Sequence, residues 1–429
     1  MKKTKLAFVA AAVILLASQA SWATTVVVGH CKSGLVSFPS IGAAVGAVPS
    51  GSIIYVCPGT YPEQVEITGK KLALIGVQSG TQDAAVVIPP AGGLVANATS
   101  LATGNPIAAQ IWVHDVDPAL GLVNISNLTV DDAGNGIAAC SPNPMGFLYQ
   151  NASGTIAHVV ARNQSPEPYS QFGGCQTGLG IFVQSGGGQS STVTVSGSTV
   201  HNYAKNGITG NEIGTTLYAT GNSVLGVGPT TGAAQNGIQI GFGATGKMTG
   251  NSVADDVWSP DNIGDPGDAA AGLLVYAAAH VTMSGNNVAN TQFGIAIASD
   301  SSSQQASGGG GANIVTSNKV SGTHIFDGID VCTDTNTVKT NTINSSDEAG
   351  VHIDSTCGVT NTGNIVTGNT INEACAGLLV GTSPGNTTSP DTYFNVNNTV
   401  VQGDVCNAPV FNFASLASKT HGAFVPARP

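Results

Sequence analysis

The stretch that decides the fold lies between Lys205 and Asn398, where a glycine followed by alternating, mostly apolar residues returns seven times. The copies are Gly207-Ile-Thr-Gly, Gly237-Ile-Gln-Ile, Gly272-Leu-Leu-Val, Gly294-Ile-Ala-Ile, Gly328-Ile-Asp-Val, Gly350-Val-His-Ile and Gly377-Leu-Leu-Val, at steps of 30, 35, 22, 34, 22 and 27 residues. A second phrase, Asn-x-Val or Asn-x-Ile, recurs at steps of 29, 35, 32, 23, 28 and 29 residues, at Asn222, Asn251, Asn286, Asn318, Asn341, Asn369 and Asn398. Both series count the same units, so this region is an internal repeat.

Each unit holds two or three short strands with turns of Gly, Asn, Ser and Thr, which is too little to bury an apolar face alone. The units must therefore stack, and the pattern predicts an all-β parallel solenoid. Alternation in a strand places Ile329 and Val331 in the core and Asp330 on the outside. The recurrent asparagines are predicted to form a structural ladder, because Asn tolerates left-handed backbone and its amide can bond the next coil.

The repeats resemble those of right-handed parallel β-helix proteins, the pectin-lyase-like superfamily, over roughly residues 36–400. The beginning of the chain adds a resemblance to the entry coil of pectinesterase-type β-helices. The matching phrases start at Phe38 (Phe-Pro-Ser-Ile), at Ile54 (Ile-Tyr-Val-Cys-Pro-Gly-Thr-Tyr) and at Leu72 (Leu-Ala-Leu-Ile-Gly). This resemblance implies a single-stranded right-handed β-helix with a short capping helix at residues 39–48. Hydrolases, lyases, esterases, epimerases and adhesins share that architecture, so it does not fix a function.

The sequence predicts an export signal at 1–23, an N-terminal strand and capping helix at 24–48, a β-helix at 49–405 and a C-terminal cap or tail at 406–429. Lys2, Lys3 and Lys5 precede an apolar run at 6–17, and Ser21-Trp22-Ala23 offers a cleavage site. No later apolar run reaches the length of a membrane span. We therefore expect a secreted or periplasmic protein without a membrane span, and a monomer if both ends of the solenoid are capped.

All eight cysteines follow the export signal, an even number suited to an oxidising compartment. Their order suggests four disulfides between neighbouring coils: Cys31 with Cys57, Cys140 with Cys175, Cys332 with Cys357, and Cys375 with Cys406. Other pairings and free thiols remain open at this point.

Charge excludes some partners. Without the three signal lysines, 10 basic residues face 24 acidic ones, so the chain has no electrostatic footprint for nucleic acid. An acidic protein also repels a bare polyanion such as pectate unless Ca²⁺ bridges the two.

The first candidate site surrounds Arg162 and Lys205, with Tyr169, His201 and Tyr203 nearby in sequence. A β-helix lyase uses a basic side chain to remove the proton beside a uronate carboxylate and a cation to neutralise that carboxylate. Arg162 and Lys205 are the candidates for this chemistry, and the three aromatic side chains are candidates for substrate contact. The alternative is a surface groove with solvated charges.

The second candidate is an acidic loop with five aspartates and Trp258, which is a further candidate for substrate contact. The aspartates are Asp255, Asp256, Asp261, Asp265 and Asp268. Carboxylate oxygens are the ligands that Ca²⁺ prefers, so the loop is a candidate calcium site. Ca²⁺ is the only cofactor that the sequence suggests, and a solvated acidic loop is the alternative.

The third candidate lies on consecutive repeats. Aligning Gly328 with Gly350 places Asp330 beside His352 on one outward column, about 4.8 Å apart by strand spacing. Paired carboxylates with a His are what inverting glycoside hydrolysis uses, one carboxyl group as acid and one as base, and the order of residues faintly resembles polygalacturonases. The Asn-Thr-Asp and Gly-His-Gly phrases of that family are missing and no Asp-Asp stands at the second site, so surface polar residues are the alternative.

The catalytic phrases of pectinesterases are also missing, and Tyr61 and Glu63 are predicted to fix the entry turn. Two functions remain from the sequence. One is binding or processing of an envelope or extracellular polysaccharide, as a lyase or glycoside hydrolase if the protein is an enzyme. The other is a non-catalytic structural or adhesive β-helix.

Overall fold

The structure is a computed structural model that describes residues 22–80, 83–117, 119, 121–168, 174–230, 232–258, 268–300, 310–356, 359–406 and 423–424. One helix, α1 (Ile41–Ala47), is found among them. The strands of the first half are β1 (Thr25–Val28), β2 (Val36–Phe38), β3 (Ser52–Val56), β4 (Gly59–Pro62), β5 (Val65–Thr68), β6 (Leu72–Gly76), β7 (Ala85–Ile88), β8 (Ala98–Thr99), β9 (Pro106–His114), β10 (Val123–Ser126), β11 (Thr129–Asp131), β12 (Asn143–Gln150), β13 (Gly154–Ala157), β14 (Val160–Arg162), β15 (Leu179–Gln184), β16 (Ser191–Ser196), β17 (Thr199–His201), β18 (Asn206–Asn211) and β19 (Thr215–Thr220).

The second half continues the same succession of short strands. They are β20 (Ser223–Thr230), β21 (Asn236–Gly241), β22 (Thr245–Thr249), β23 (Ser252–Trp258), β24 (Asp268–Ala269), β25 (Ala271–Tyr276), β26 (Thr282–Ser284), β27 (Asn287–Thr291), β28 (Phe293–Ala298), β29 (Ile314–Thr316), β30 (Lys319–Thr323), β31 (Ile329–Val331), β32 (Thr337–Lys339), β33 (Thr342–Ile353), β34 (Ile365–Thr367), β35 (Thr370–Val380), β36 (Thr387–Thr388), β37 (Thr392–Gln402) and β38 (Ala423–Phe424).

These strands form two long sheets that run the length of the molecule. The first has 14 strands in the order β2-β1-β3-β6-β10-β13-β16-β19-β22-β26-β29-β32-β34-β36, and the second has 22 strands. Pairing is parallel throughout both sheets except between β8 and β9. Near the C-terminus, β38 pairs with β24 in a separate two-stranded sheet. Strands that are distant in sequence but parallel in space are what stacked coils produce, so the predicted solenoid is confirmed.

The core runs through the middle of the stack because one face of each strand points inward. In β16 and β19, buried residues alternate with exposed or half-buried ones, as expected for strands with one face in the core. Strands such as β18, β21, β25 and β28 are buried at every position. The outer face of the long sheet is therefore covered along its central coils, which alternation alone does not predict.

The recurrent glycines have a packing reason. A Cβ on Gly237 would lie 2.2 Å from Val253 Cγ1 and 2.7 Å from the Gly272 carbonyl oxygen, and a Cβ on Gly272 would lie 2.4 Å from Val288 Cγ1. Separations under 3 Å are too short for real side chains, so the valine of the next strand packs where a side chain would stand. Glycine recurs here because of close approach and not because of backbone conformation.

The asparagine ladder is confirmed from Asn222 to Asn369. In each step both the backbone N–H and the Nδ2 of one Asn donate to Oδ1 of the next, at 2.9–3.0 Å. The last acceptor is Asp391, so the prediction for Asn398 is wrong. Asp suits the end of the ladder because a terminal residue only accepts.

The expected backbone reason for the ladder is also wrong. The left-handed residue is the one before the Asn, as at Gly221 (φ 63°) and Thr340 (φ 55°). A second ladder, which the sequence analysis missed, joins Asn313, Asn336, Asn364 and Asn386 in the same way.

At the entry coil, Glu63 accepts hydrogen bonds from the backbone N–H groups of Ile41 and Gly42, each at 2.8 Å. This carboxylate satisfies donors that the first turn of α1 leaves without helical partners. The Tyr61 hydroxyl donates to the Cys57 carbonyl at 2.7 Å. The structural role predicted for Tyr61 and Glu63 is therefore confirmed.

Three of the four predicted disulfides are present: Cys31–Cys57, Cys140–Cys175 and Cys375–Cys406. The fourth involves Cys357, which lies outside the described residues. Each described bridge joins residues 26 to 35 positions apart, which is about one coil.

Candidate functional site

The outer face of the long sheet carries one side-chain column whose chemistry changes along the solenoid. Strand register aligns Trp112, Leu148, Phe182, Thr209, Gln239, Leu274, Ala296, Asp330, His352 and Leu379. The column carries Trp112 and Phe182 at the first coils, Thr209 and Gln239 in the middle, and Asp330 and His352 near the end. Two places along it have the polar groups that a functional site requires.

At the first coils the face opens into a cleft of about 400 Å³. Its floor comes from β9, β12 and the residues just after them, and its wall comes from residues 96–106. The lining residues are Ala96, Asn97, Ala98, Thr99, Leu101, Pro106, Trp112, His114, Asp115, Gln150 and Asn151. This volume is within the range of small-molecule sites.

Trp112 and His114 stand side by side in the cleft because they are two residues apart on β9 and share its outer face. Their rings stack with centroids 3.7 Å apart and an angle of 17° between the planes. Trp112 Nε1 donates to Gln150 Oε1 at 2.9 Å, which satisfies the polar edge of the indole. The stack covers one face of each ring and, with this hydrogen bond, fixes the pair in position.

His114 is held between two carboxylates. Its Nε2 lies 2.9 Å from Glu66 Oε1 on the preceding coil, and its Nδ1 lies 2.9 Å from Asp115 Oδ2. The imidazole is 13% exposed, whereas Glu66 is 57% and Asp115 62% exposed. Both carboxylates thus fix the ring and still reach solvent.

The wall of the cleft is tied down by glutamines from the coils behind it. Gln150 Nε2 donates to the Thr99 carbonyl at 2.8 Å, and Gln184 Oε1 accepts the Leu101 N–H at 2.9 Å. Asn97 is bonded in both directions to the Ala109 backbone. The cleft is therefore formed in advance of any ligand.

Arg162 is not a free base. Its Nε donates to Asp131 at 2.8 Å and its Nη1 to Asp83 at 3.0 Å. Partial burial lowers the pKa of Arg162, but the two carboxylates raise it by a larger amount, so the net shift is upward. His201 on β17 is the register partner of Arg162 on β14. The pKa of His201 is lowered by burial and by the charge of Arg162.

Lys205 and Tyr203 are fully buried, so they do not face a groove as predicted. Lys205 Nζ donates to the Ala234 carbonyl, and the Tyr203 hydroxyl donates to Asp256 Oδ1 at 2.6 Å. Burial raises the pKa of Asp256 well above its usual range, although the Tyr203 hydrogen bond lowers it. These residues form an internal polar cluster, because the turn before β18 folds them under the next coil.

The remaining residues of the predicted acidic loop divide between different surroundings. Asp255 is partly buried and accepts a hydrogen bond from Asn290 Nδ2, so it does not share partners with Asp256. Trp258 is 3% exposed and packs against Ala234 and Ala270, not against solvent. Tyr169, Asp261 and Asp265 lie outside the described residues, and Asp268 is described in its backbone alone.

Asp330 and His352 are register partners, as predicted. They are not surface residues, however, since Asp330 is 1% and His352 0% exposed. His352 Nδ1 lies 3.2 Å from Asp327 Oδ2, and its Nε2 lies 3.5 Å from Asp404 Oδ1. Asp327 enters from the residues before β31, and Asp404 from the turn after β37.

The charges of this buried group depend on one another. Burial lowers the pKa of His352, but the charge and hydrogen bond of Asp327, together with Asp404 and Asp330, raise it well above its usual value. Burial raises the pKa of Asp404, but hydrogen bonds from His352 and Ser355 lower it by a larger amount, so the net shift is downward. The arrangement is a network of one histidine and its neighbouring carboxylates.

The same region holds the described residues that come closest to a metal centre. Three overlapping sets have ligand atoms within 4.8 Å of one another: Asp327 with Asp330 and His352, Asp330 with Cys332 and Asp354, and His352 with Asp354 and Asp404. Cys332 is disulfide-bonded and supplies no thiolate. Asp354 Oδ1 already accepts from Thr356 N and Oγ1.

The cleft residues were missed in the sequence. The segment Gln110-Ile-Trp-Val-His-Asp115 alternates apolar residues with Trp and His, which predicts both rings on one outer face of a strand. That signal was present, but it lies in the first coils, where the repeat is irregular. Glu66 comes from another coil, so its approach to His114 depends on stacking.

The fold places the protein in a structural class. Coils of short parallel strands stacked around one core form a right-handed parallel β-helix, and the cleft opens on its outer face. No family model matches the chain, and no curated protein sequence matches it.

Solved structures of this class are similar to the chain at low sequence identity. The catalytic domain of a GH87 α-1,3-glucanase in complex with nigerose has a TM-score of 0.57 and 12% identity, over 88% of this chain and 66% of that one. PfbA, a surface adhesin of Streptococcus pneumoniae, has a TM-score of 0.53 and 13% identity, over 84% and 86%. GH136 lacto-N-biosidase from Eubacterium ramulus has a TM-score of 0.50 and 10% identity, over 85% and 64%.

The chain spans just under two thirds of the glucanase and biosidase chains. Identities this low show the fold alone. The three described disulfides fit an extracellular or periplasmic protein. Among the described residues, no helix is long and apolar enough to cross a membrane.

Proposed function

We propose that the protein binds a polysaccharide outside the cytoplasm, with a sugar ring seated in the Trp112 cleft. The observation that carries this proposal is the stacked Trp112–His114 pair, fixed at the floor of an open cleft and flanked by two solvent-accessible carboxylates. An aromatic face packs against the C–H face of a sugar, and carboxylates accept its hydroxyl hydrogen bonds. A preformed cleft lowers the entropy cost of binding.

The proposal is binding without turnover. A lyase needs an accessible base, but Arg162 is committed to two carboxylates and Lys205 is buried. The Asp330–His352 pair is closed to a polymer by its burial. This supports the non-catalytic, adhesive alternative within a carbohydrate-binding role, and the named neighbours include both glycosidases and an adhesin.

The proposal also includes two predictions that rest on the sequence alone. One is export through the segment 1–23. The other is Ca²⁺ binding by the loop 255–268, in which the aspartate side chains described are those of Asp255 and Asp256.

The test is a glycan array probed with the mature chain and with Trp112→Ala. We expect the wild type to bind at least one oligosaccharide series and Trp112→Ala to lose at least about tenfold in affinity, since a stacked aromatic anchor contributes about 1–2 kcal/mol or more. Phe394→Ala is the matched control, because Phe394 is an exposed aromatic residue, at 52%, on the last coil.

Parallel assays for new reducing ends and for unsaturated uronides test turnover. Absence of binding by a folded wild type, or equal loss in Trp112→Ala and Phe394→Ala, would overturn the proposal. Turnover that survives Trp112→Ala would place the function elsewhere on the solenoid.

A further inference from the structure

We infer that the cleft selects neutral sugars and rejects uronates, and that Glu66 and Asp115 carry this selectivity. The inference rests on the proposed function, because it names the class of glycan that the same cleft binds. It reverses the expectation from the sequence that an uronate would be recognised through Arg162 and Lys205.

The described lining of the cleft lacks the cations that would bind a sugar carboxylate. The residues that line the cleft, all of them in the described part of the chain, include no lysine or arginine. Recognition of a sugar carboxylate in proteins uses such a cation, most effectively a bidentate arginine. Arg162, the residue expected to play that part, is bound by Asp83 and Asp131.

His114 is the one described lining side chain that can carry a positive charge. Both of its ring nitrogens lie 2.9 Å from carboxylate oxygens. The ring carries at most one positive charge against the two negative charges of Glu66 and Asp115. The group that a ligand meets is therefore net negative.

The cleft also matches a neutral sugar ring. Ala96, Ala98, Leu101 and Pro106 give one wall an apolar part, which suits the C–H face of a pyranose. Asp115 lines the cleft, and Glu66 contacts the lining residue His114 from the preceding coil. Both carboxylates use one oxygen on His114 and are more than half exposed, so they can accept hydrogen bonds from sugar hydroxyls. A uronate in the same place would set a third carboxylate beside two others, which is unfavourable.

The experiment compares neutral and acidic ligands on the full mature chain. The neutral probes are hexamers of α-1,3-, α-1,4-, β-1,3- and β-1,4-linked glucose, and the acidic probes are hexamers of galacturonate and mannuronate. Affinities are measured by calorimetry for the wild type, Trp112→Ala, and the double variant Glu66→Gln with Asp115→Asn. Glu373→Gln with Asp347→Asn removes the same two charges from the C-terminal coils and is the matched control.

We expect the wild type to bind a neutral probe and to bind both acidic probes at least about tenfold more weakly. The cleft double variant should raise the affinity for the acidic probes relative to the neutral probes at least about fivefold, because it removes two negative charges and its amides still accept hydrogen bonds. The control pair should leave the ratio unchanged, which separates local charge from net charge.

Different results would overturn different statements. Acidic binding by the wild type that is lost in Trp112→Ala would refute the selectivity and leave the cleft as the binding site. An equal gain in the cleft variant and the control pair would refute the role of Glu66 and Asp115. Absence of all binding in the wild type would refute the proposed function itself.

Discussion

Replacing Asn286 with alanine tests whether the asparagine ladder holds the coils together. Asn286 is 1% exposed and makes four side-chain hydrogen bonds. Its Nδ2 donates to the Met248 carbonyl and to Asn318 Oδ1, each at 2.9 Å. Its Oδ1 accepts from the Asn251 backbone N–H at 3.0 Å and from Asn251 Nδ2 at 2.9 Å.

The cost follows from the groups that alanine leaves without a partner. Asn318 Oδ1 keeps the Asn286 backbone N–H, and Asn251 Nδ2 keeps the Ala219 carbonyl. The Met248 carbonyl loses its Asn286 bond and the Asn251 N–H loses its acceptor, both in a buried region. Each buried group left unsatisfied costs about 1–3 kcal/mol, so the two groups together should lower the free energy of unfolding by about 2–6 kcal/mol.

The assay is guanidinium unfolding followed by far-ultraviolet circular dichroism, with protease sensitivity as a second probe because long repeat arrays need not unfold in one step. Asn287→Ala is the control, since Asn287 is the adjacent residue and is exposed. Its effect should stay within about 0.5 kcal/mol. Equal effects of the two substitutions would refute the reasoning that the ladder stabilises the stack.

Two further outcomes follow from the packing and from the buried histidine. Gly237→Ala should destabilise by about 2–4 kcal/mol because its Cβ would overlap Val253, whereas Gly46→Ala in α1, with no atom in reach of a new Cβ, should stabilise by up to about 1 kcal/mol. A harmless Gly237→Ala in thermal unfolding would show that the coils can separate to admit a methyl group. The raised pKa of His352 beside Asp327 means that the folded protein holds this proton more tightly than the unfolded chain does. Its stabilisation is full below about pH 6.5 and is lost as the pH rises through the folded-state pKa. Unfolding at a series of pH values should show this loss in the wild type and a flatter profile in His352→Gln, and identical profiles would contradict the assignment.

Much of the fold could be predicted from the sequence because each repeat has the same pattern of glycine and apolar positions. Gly237 and Gly272 mark close approach of the next strand, and Ile329 and Val331 mark the core. The pairing of Asp330 with His352 also followed, since register between coils is set by aligning equivalent glycines. Cysteine order identified three disulfides because neighbours in a solenoid are about one coil apart in sequence.

The site was predicted less well, and Lys205, Tyr203 and Trp258 show the reason. Their residue types suit ligand contact, but each is buried by a neighbouring coil or turn. In the sequence, Trp112 and His114 have the same alternation as many other strand residues. Only the folded chain shows that residues 96–106 form the wall of a cleft beside them.

The sequence by itself determined the parallel β-helix, the inward face of each strand and the partners on adjacent coils. Both the two-residue alternation within a strand and the repeat of about one coil can be counted along the chain. The tertiary structure alone decided which outward positions meet solvent. Exposure depends on how irregular turns and loops, which carry no repeat, fold over the sheet. Asp330 and His352 therefore became a buried ion-pair network, whereas Trp112, His114, Glu66 and Asp115 came together at an open cleft.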